Sequence, residues 1–218
     1  MPTPEKTRPA ERMLAAGTLP VAATLLTGTI ALYIALVAFG NITDFETNQQ
    51  FVRHVLAMDT TFKDNGLRWR AVDSTALQDT AYVAIIAWET VAALVLGTST
   101  VLWARALRRP EGLRRAQLTG SIGLMMILLL FGVGFIGIGG EWFAMWQSEA
   151  WNGLDAAIRM VTFAGIVLIA THLPAASQPG RAPSAGDDAA DGLKDGLKDG
   201  LKDDRKDGLK DGLKEGRP

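Results

Sequence analysis

Apolar residues gather in four long runs, at 18–40, 80–103, 118–140 and 154–173, separated by polar connections. Each run is about as long as the ~20 residues needed to cross the hydrocarbon core of a bilayer. None shows the polar stripe that a helix of a water-soluble bundle would carry, so all four predict transmembrane helices. The pattern changes in the connection 41–79. There the segment TNQQFVRHVLAM (47–58) places Phe51, Val52, Val55 and Leu56 on one helical face, with Gln50 and Arg53 opposite. That spacing predicts a short amphipathic helix lying on the membrane or capping the bundle. The expected fold is therefore all-α: a four-helix transmembrane bundle over residues 18–174, with a partly helical outer loop at 41–79.

The two ends read differently. Residues 1–17 form a basic arm with Lys6, Arg8 and Arg12. The apolar run after it is longer than the 7–15 residues of a signal-peptide core, so a retained first span is expected. Residues 175–218 are polar and Gly-rich, and DGLK occurs in them five times. A glycine in every repeat and one leucine per four residues give too little apolar surface for folding, which predicts a disordered cytoplasmic tail.

Charge sets the expected orientation. The connection 104–117 carries Arg105, Arg108, Arg109, Arg114 and Arg115, while 141–153 carries no Lys or Arg. The positive-inside rule then puts both termini and the 104–117 loop in the cytoplasm of a bacterial inner membrane, and the 41–79 and 141–153 connections outside. The net charge of −1 hides this segregation and gives no reason to expect a nucleic-acid partner. The chain has no cysteine and two histidines, His54 and His172, on opposite sides in this topology. Thiol chemistry is excluded, a bis-His haem is not expected, and no cofactor, metal or catalytic residue is assigned.

Ionisable and aromatic residues in the runs mark a candidate polar site. Glu89 lies inside the second run, with small residues Ala93 and Gly97 following at +4 and +8, so it is expected to face the bundle. Arg159 lies in the fourth run at a similar depth. A Glu89–Arg159 pair is one expectation; Arg159 with Asp155 one turn earlier, or snorkelling to headgroups, is another. Glu89 held protonated and hydrogen-bonded to a threonine or carbonyl is a third. Glu141 stands at the outer end of the third run. Trp142, Trp146 and Trp151, three of the six tryptophans, crowd the 141–153 connection. They read as interfacial anchors or as an aromatic wall over an outward-facing pocket. The glycines at 120, 123, 132, 134, 137, 139 and 140 predict close helix packing in the third span.

The segments FVRHVLAMDTTF (51–62), AIIAWE (84–89) and GEWFAMWQSEAWNG (140–153) together resemble a family of small bacterial integral membrane proteins of unknown function. The resemblance spans roughly residues 20–173 and implies four membrane helices and no established activity. The DGLK tail departs from the family pattern. The leading functional expectation is a non-enzymatic accessory or assembly subunit, or a homo-oligomer, in contact with the bilayer and a membrane-protein partner. The alternative is a small transporter or channel with Glu89, and Arg159, as coupling site.

Overall fold

Four helices follow the four apolar runs, each long and apolar enough to cross a membrane. The structure is a computed structural model and describes residues 18–64 and 66–173. The expected basic arm at 1–17 and the DGLK tail at 175–218 lie outside the described residues. The helices are α1 (Thr18–Thr43), α2 (Phe45–Ala57), α3 (Thr75–Ala106), α4 (Leu113–Leu128) and α5 (Leu154–His172). α4 runs on without a break as a π-helix over Leu129–Trp142. Short 3₁₀ turns lie at Arg68–Arg70, Pro110–Gly112 and Met145–Gln147.

The all-α expectation holds, and the helix ends shift in an instructive way. α1 continues past Gly40 to Thr43. α3 starts five residues before the apolar run and ends three after it. At ~1.5 Å per residue α3 is about 48 Å long, longer than a bilayer is thick, so one end extends beyond the hydrocarbon core. α2 packs on that projecting end, with Val52, Tyr82 and Ile86 buried between them. Its apolar face is the predicted one: Val52 is buried and Phe51 and Leu56 are packed against it. Only Asp44 separates α1 from α2, and the Thr47 hydroxyl donates to the Asp44 carboxylate (3.0 Å) across the bend. α2 stops at Met58, a buried residue with φ of 52°, whose carbonyl accepts from the Thr61 hydroxyl and from Arg68. α2 thus forms a lid over one end of the bundle. The arginine-rich α3–α4 connection lies at the other.

The core joins all four long helices through Ile30, Ile34, Ala92, Leu96, Leu124, Ile127, Phe131, Ala157, Met160 and Ala164. Apolar contact alone does not drive association in lipid, where the tails are as apolar as leucine; close packing of small residues does. Gly120 and Gly123 supply it, as a Cβ on them would lie 2.7 Å from Ser99 Oγ and 2.6 Å from Leu96 Cγ. Several threonine hydroxyls within the spans are satisfied locally. Thr24, Thr27, Thr29, Thr90, Thr98 and Thr100 each donate to the carbonyl four residues earlier. Such back-bonding lets a polar side chain sit in hydrocarbon without a partner helix. Where α4 changes to π geometry, the Trp88 indole N–H donates to Met126 O (3.0 Å), tying α3 to the changeover.

Candidate functional site

Glu89 is 2% exposed and faces the bundle. It belongs to the buried stripe of α3 that runs through Tyr82, Ile86, Glu89, Ala92, Leu96, Ser99 and Trp103. The three- and four-residue spacing of that stripe is one face of a helix. Gly97 lies at the edge of the stripe, with nothing within 4 Å of a Cβ placed there.

The partner of Glu89 is not Arg159. The Asn41 side-chain amide donates to Glu89 Oε2 at 2.7 Å. A carboxylate can only accept, so the Asn41 nitrogen faces it and the Asn41 oxygen is left free to accept in turn. It does so from the Asn48 amide on the lid, at 2.7 Å. The Tyr82 hydroxyl donates to the backbone carbonyl of Asn41 (3.1 Å). One asparagine near the end of α1 therefore links α1, α3 and the lid. Because Asn41 is two residues from that end, Glu89 is level with the lid end of α1, although it lies near the middle of α3 by number.

This network forms one wall of a cavity of about 240 Å³ directly beneath the lid. Asn41, Asn48, Tyr82 and Glu89 give it a polar side. Tyr33, Phe51, Phe131 and Phe135 give it an aromatic one. Phe131 and Phe135 are 5.2 Å apart by ring centroids, and Phe51 stacks on Phe135 at 6.3 Å. Asn48 and Tyr33 are exposed and sit on its rim. Gly153, Ala156 and Met160 close the α5 side. Glu89 is the one carboxylate in this lining, and no Lys, Arg or His belongs to it. Among the described residues Glu89 Oε1 has no hydrogen bond.

Arg159 and Asp155 are exposed on the outer face of α5, away from the buried Ala157 and Met160, and neither forms an ion pair among the described residues. The expected Glu89–Arg159 and Asp155–Arg159 pairs are thus not formed. The depths match; the azimuths do not. Substitutions at Glu89 and Arg159 should then act independently. Glu89→Gln and Arg159→Ala are expected to combine additively to within about 0.5 kcal/mol in thermal unfolding. A coupling above ~1 kcal/mol would reinstate the pair. Glu141 is also exposed and stands apart from the cavity.

The tryptophans clasp the 41–79 connection. Trp142 meets Trp69 edge to face (5.7 Å), with the Arg70 guanidinium 4.8 Å from the Trp142 ring. Trp146 meets Phe62 edge to face (5.9 Å), and Trp151 stacks on His54 (4.6 Å). Trp142 and Trp146 are half exposed, as anchors would be, whereas Trp151 also touches Phe51, which lines the cavity. Trp142 and Trp146 do not share a helical face, because the helix ends at Trp142 and Ala144 takes φ of 51°. His54 Nδ1 lies 2.7 Å from Asp59 Oδ2. The lid is also pinned from its polar side, where Arg53 makes two hydrogen bonds to Asp79 (2.9 and 2.8 Å). The bond to Asp79 holds the Arg53 guanidinium above its ordinary range.

Asn41, Asn48, Tyr33 and Tyr82 were not legible as site residues from sequence. Asn41 falls one residue beyond an apolar run, where polar residues normally begin a connection.

No curated protein and no solved structure matches the chain. Residues 19–174 match the family described as "Predicted small integral membrane protein (DUF2165)", which agrees with the four membrane-length helices and with the resemblance carried by its three motifs. The chain is an integral membrane protein and belongs to that family.

Proposed function

We propose that the chain is a non-enzymatic binding component of the bacterial cytoplasmic membrane, which holds a small ligand under its lid from the outer side. In this reading both termini are cytoplasmic. The observation that carries it is the Glu89–Asn41–Asn48 relay, which places one buried carboxylate at the wall of a cavity whose rim is exposed. A non-enzymatic role is supported by the composition of the lining. It offers one carboxylate among neutral amides, phenols and phenyl rings, whereas acid–base or nucleophilic chemistry needs a second reactive group within hydrogen-bond reach. The binding event would serve a partner membrane protein, for which this chain is an accessory subunit, or a homo-oligomer.

The cysteine-free sequence makes the test direct. A single cysteine at Ala156, on the cavity wall, is expected to react with a small membrane-impermeant thiol reagent added outside spheroplasts. A cysteine at Ile158, on the exposed apolar face of the same helix, is expected not to react. An Ala156 cysteine that stays unmodified from outside, or reacts only in inside-out vesicles, would sink the outward-facing cavity. Gentle solubilisation followed by mass determination then separates the two roles: a stoichiometric partner makes the chain a subunit, a single species makes it a homo-oligomer.

Transport with Glu89 as the coupling site is the second reading. The π-helical stretch Leu129–Trp142 favours it, since it supplies Phe131 and Phe135 to the cavity and carries five glycines. π geometry interrupts the ordinary hydrogen-bond register and recurs at functional sites. Flux through liposomes containing the chain alone, abolished by Glu89→Gln, would favour transport over an accessory role.

A further inference from the structure

We infer that the cavity under the lid is built for a small organic cation, a quaternary ammonium or a protonated alkylamine. This rests on the reading of the cavity as a ligand site and specifies what it takes. Three observations carry it.

The first is the charge balance. Glu89 is buried, its one hydrogen-bond partner among the described residues is a neutral amide, and no basic residue lines the cavity. An ionised carboxylate so placed carries charge that the protein does not compensate, and buried charges are ordinarily paired. A cation entering the cavity completes the pair.

The second is the aromatic lining. Phe131, Phe135 and Phe51 form a continuous row of rings, and Tyr33 and Tyr82 add two more. Ring faces carry negative electrostatic potential and attract cations, most effectively where water is excluded. A carboxylate facing several aromatic rings is the chemistry that recognises an alkylammonium group. The same lining is unsuited to a metal ion. Calcium takes six to eight oxygen ligands and magnesium an octahedron of them, whereas Glu89 is the one carboxylate in this lining.

The third is size. A cavity of roughly 150 Å³ admits benzene. The present one, at about 240 Å³, takes a molecule somewhat larger, in the range of tetramethylammonium to choline.

Choline and its uncharged isostere 3,3-dimethylbutan-1-ol differ in the charge and share the shape, so the pair isolates the charge. The full chain in lipid nanodiscs would be titrated by calorimetry with choline, tetramethylammonium, butylamine and the isostere, with sodium and magnesium chloride at matched ionic strength. At least one organic cation is expected to bind tenfold or more tightly than the isostere. Glu89→Gln is expected to erase the preference, and Phe135→Leu to weaken the cation by about fivefold, the scale of one cation–π contact. If Glu89→Gln does not fold, Phe135→Leu and Tyr33→Leu carry the test. An isostere that binds as well as choline would overturn the cation assignment and leave the ligand cavity standing. Sodium or magnesium binding in place of the organic probes would also overturn the assignment. Failure of every probe, with the Ala156 cysteine unreactive as well, would remove both the assignment and the ligand reading. Failure of every probe with that cysteine reactive would overturn the assignment alone.

Discussion

Asn41→Leu is expected to lower the stability of the protein by about 1–2 kcal/mol and to loosen the lid. The side chain is 7% exposed and serves two partners, Glu89 and Asn48, while its carbonyl accepts from Tyr82. Leucine is close to isosteric, so the packing change is small and the loss is that of the donor to a buried carboxylate. Hydrogen bonds to charged groups contribute ~1.5–3 kcal/mol in water-soluble proteins, while interhelical bonds measured in a membrane bundle average ~0.6 and reach ~1.7. A buried carboxylate left without a donor belongs at the upper end of the membrane range. Removing the carboxylate as well should recover much of the loss, because two apolar groups cost less than one orphaned polar group. Asn41→Leu/Glu89→Met is therefore expected to unfold at a higher temperature than Asn41→Leu alone. The lid offers an independent readout. With Asn48 released, amide hydrogen exchange should rise along Phe45–Ala57 and stay unchanged at Leu124 and Ile127 in the core. A double variant whose losses simply add, or an unaltered lid, would show that the relay does not couple the two elements.

The architecture was open to reading from the sequence because membranes reduce folding to a few rules. Twenty apolar residues without a polar face can do little except span, and a period of three to four in a polar connection marks a surface helix. The same logic placed Glu89 toward the bundle, since a carboxylate facing lipid is costly. It failed for the partner. Residue counting gives depth along a helix, and depth alone made Arg159 plausible. The second coordinate is the angle around the helix axis, and at 100° per residue Arg159 turns away from the face that buries Met160. Asn41 was missed for the converse reason. It is in the right place on both coordinates, but a polar residue at the rim of an apolar run cannot be told by pattern from the first residue of a loop. The π geometry of Leu129–Trp142 left no trace either, because a glycine-rich apolar stretch suits both hydrogen-bond registers.

Gly123→Val is expected to be among the most damaging single substitutions in the bundle. A Cβ on Gly123 would lie 2.6 Å from Leu96 Cγ and 2.7 Å from its Cδ2, and Leu96 is wholly buried. α3 and α4 would have to separate along their contact. That contact also carries the Ser99 hydroxyl bond to Ala116 O (2.9 Å) and the Trp88 bond to Met126 O, which would lengthen together. Overpacking of this kind costs typically ~1–3 kcal/mol, and a β-branched residue in this crevice belongs at the top of that range or above it. Gly97→Ala is the internal comparison. Nothing lies within 4 Å of its Cβ position, so the variant is expected to gain part of the ~1 kcal/mol by which alanine exceeds glycine in a helix. The contrast tests the crossing and its bearing on the cavity at once, since α4 leads directly into the segment that brings Phe131 and Phe135 into the same cavity as Glu89. Thermal unfolding in detergent should fall sharply for Gly123→Val, partly recover when Leu96→Ala is added, and hold or rise for Gly97→Ala. If both glycines tolerate substitution equally, the α3–α4 approach is not as close as described, and the aromatic wall is not held against Glu89 by that contact.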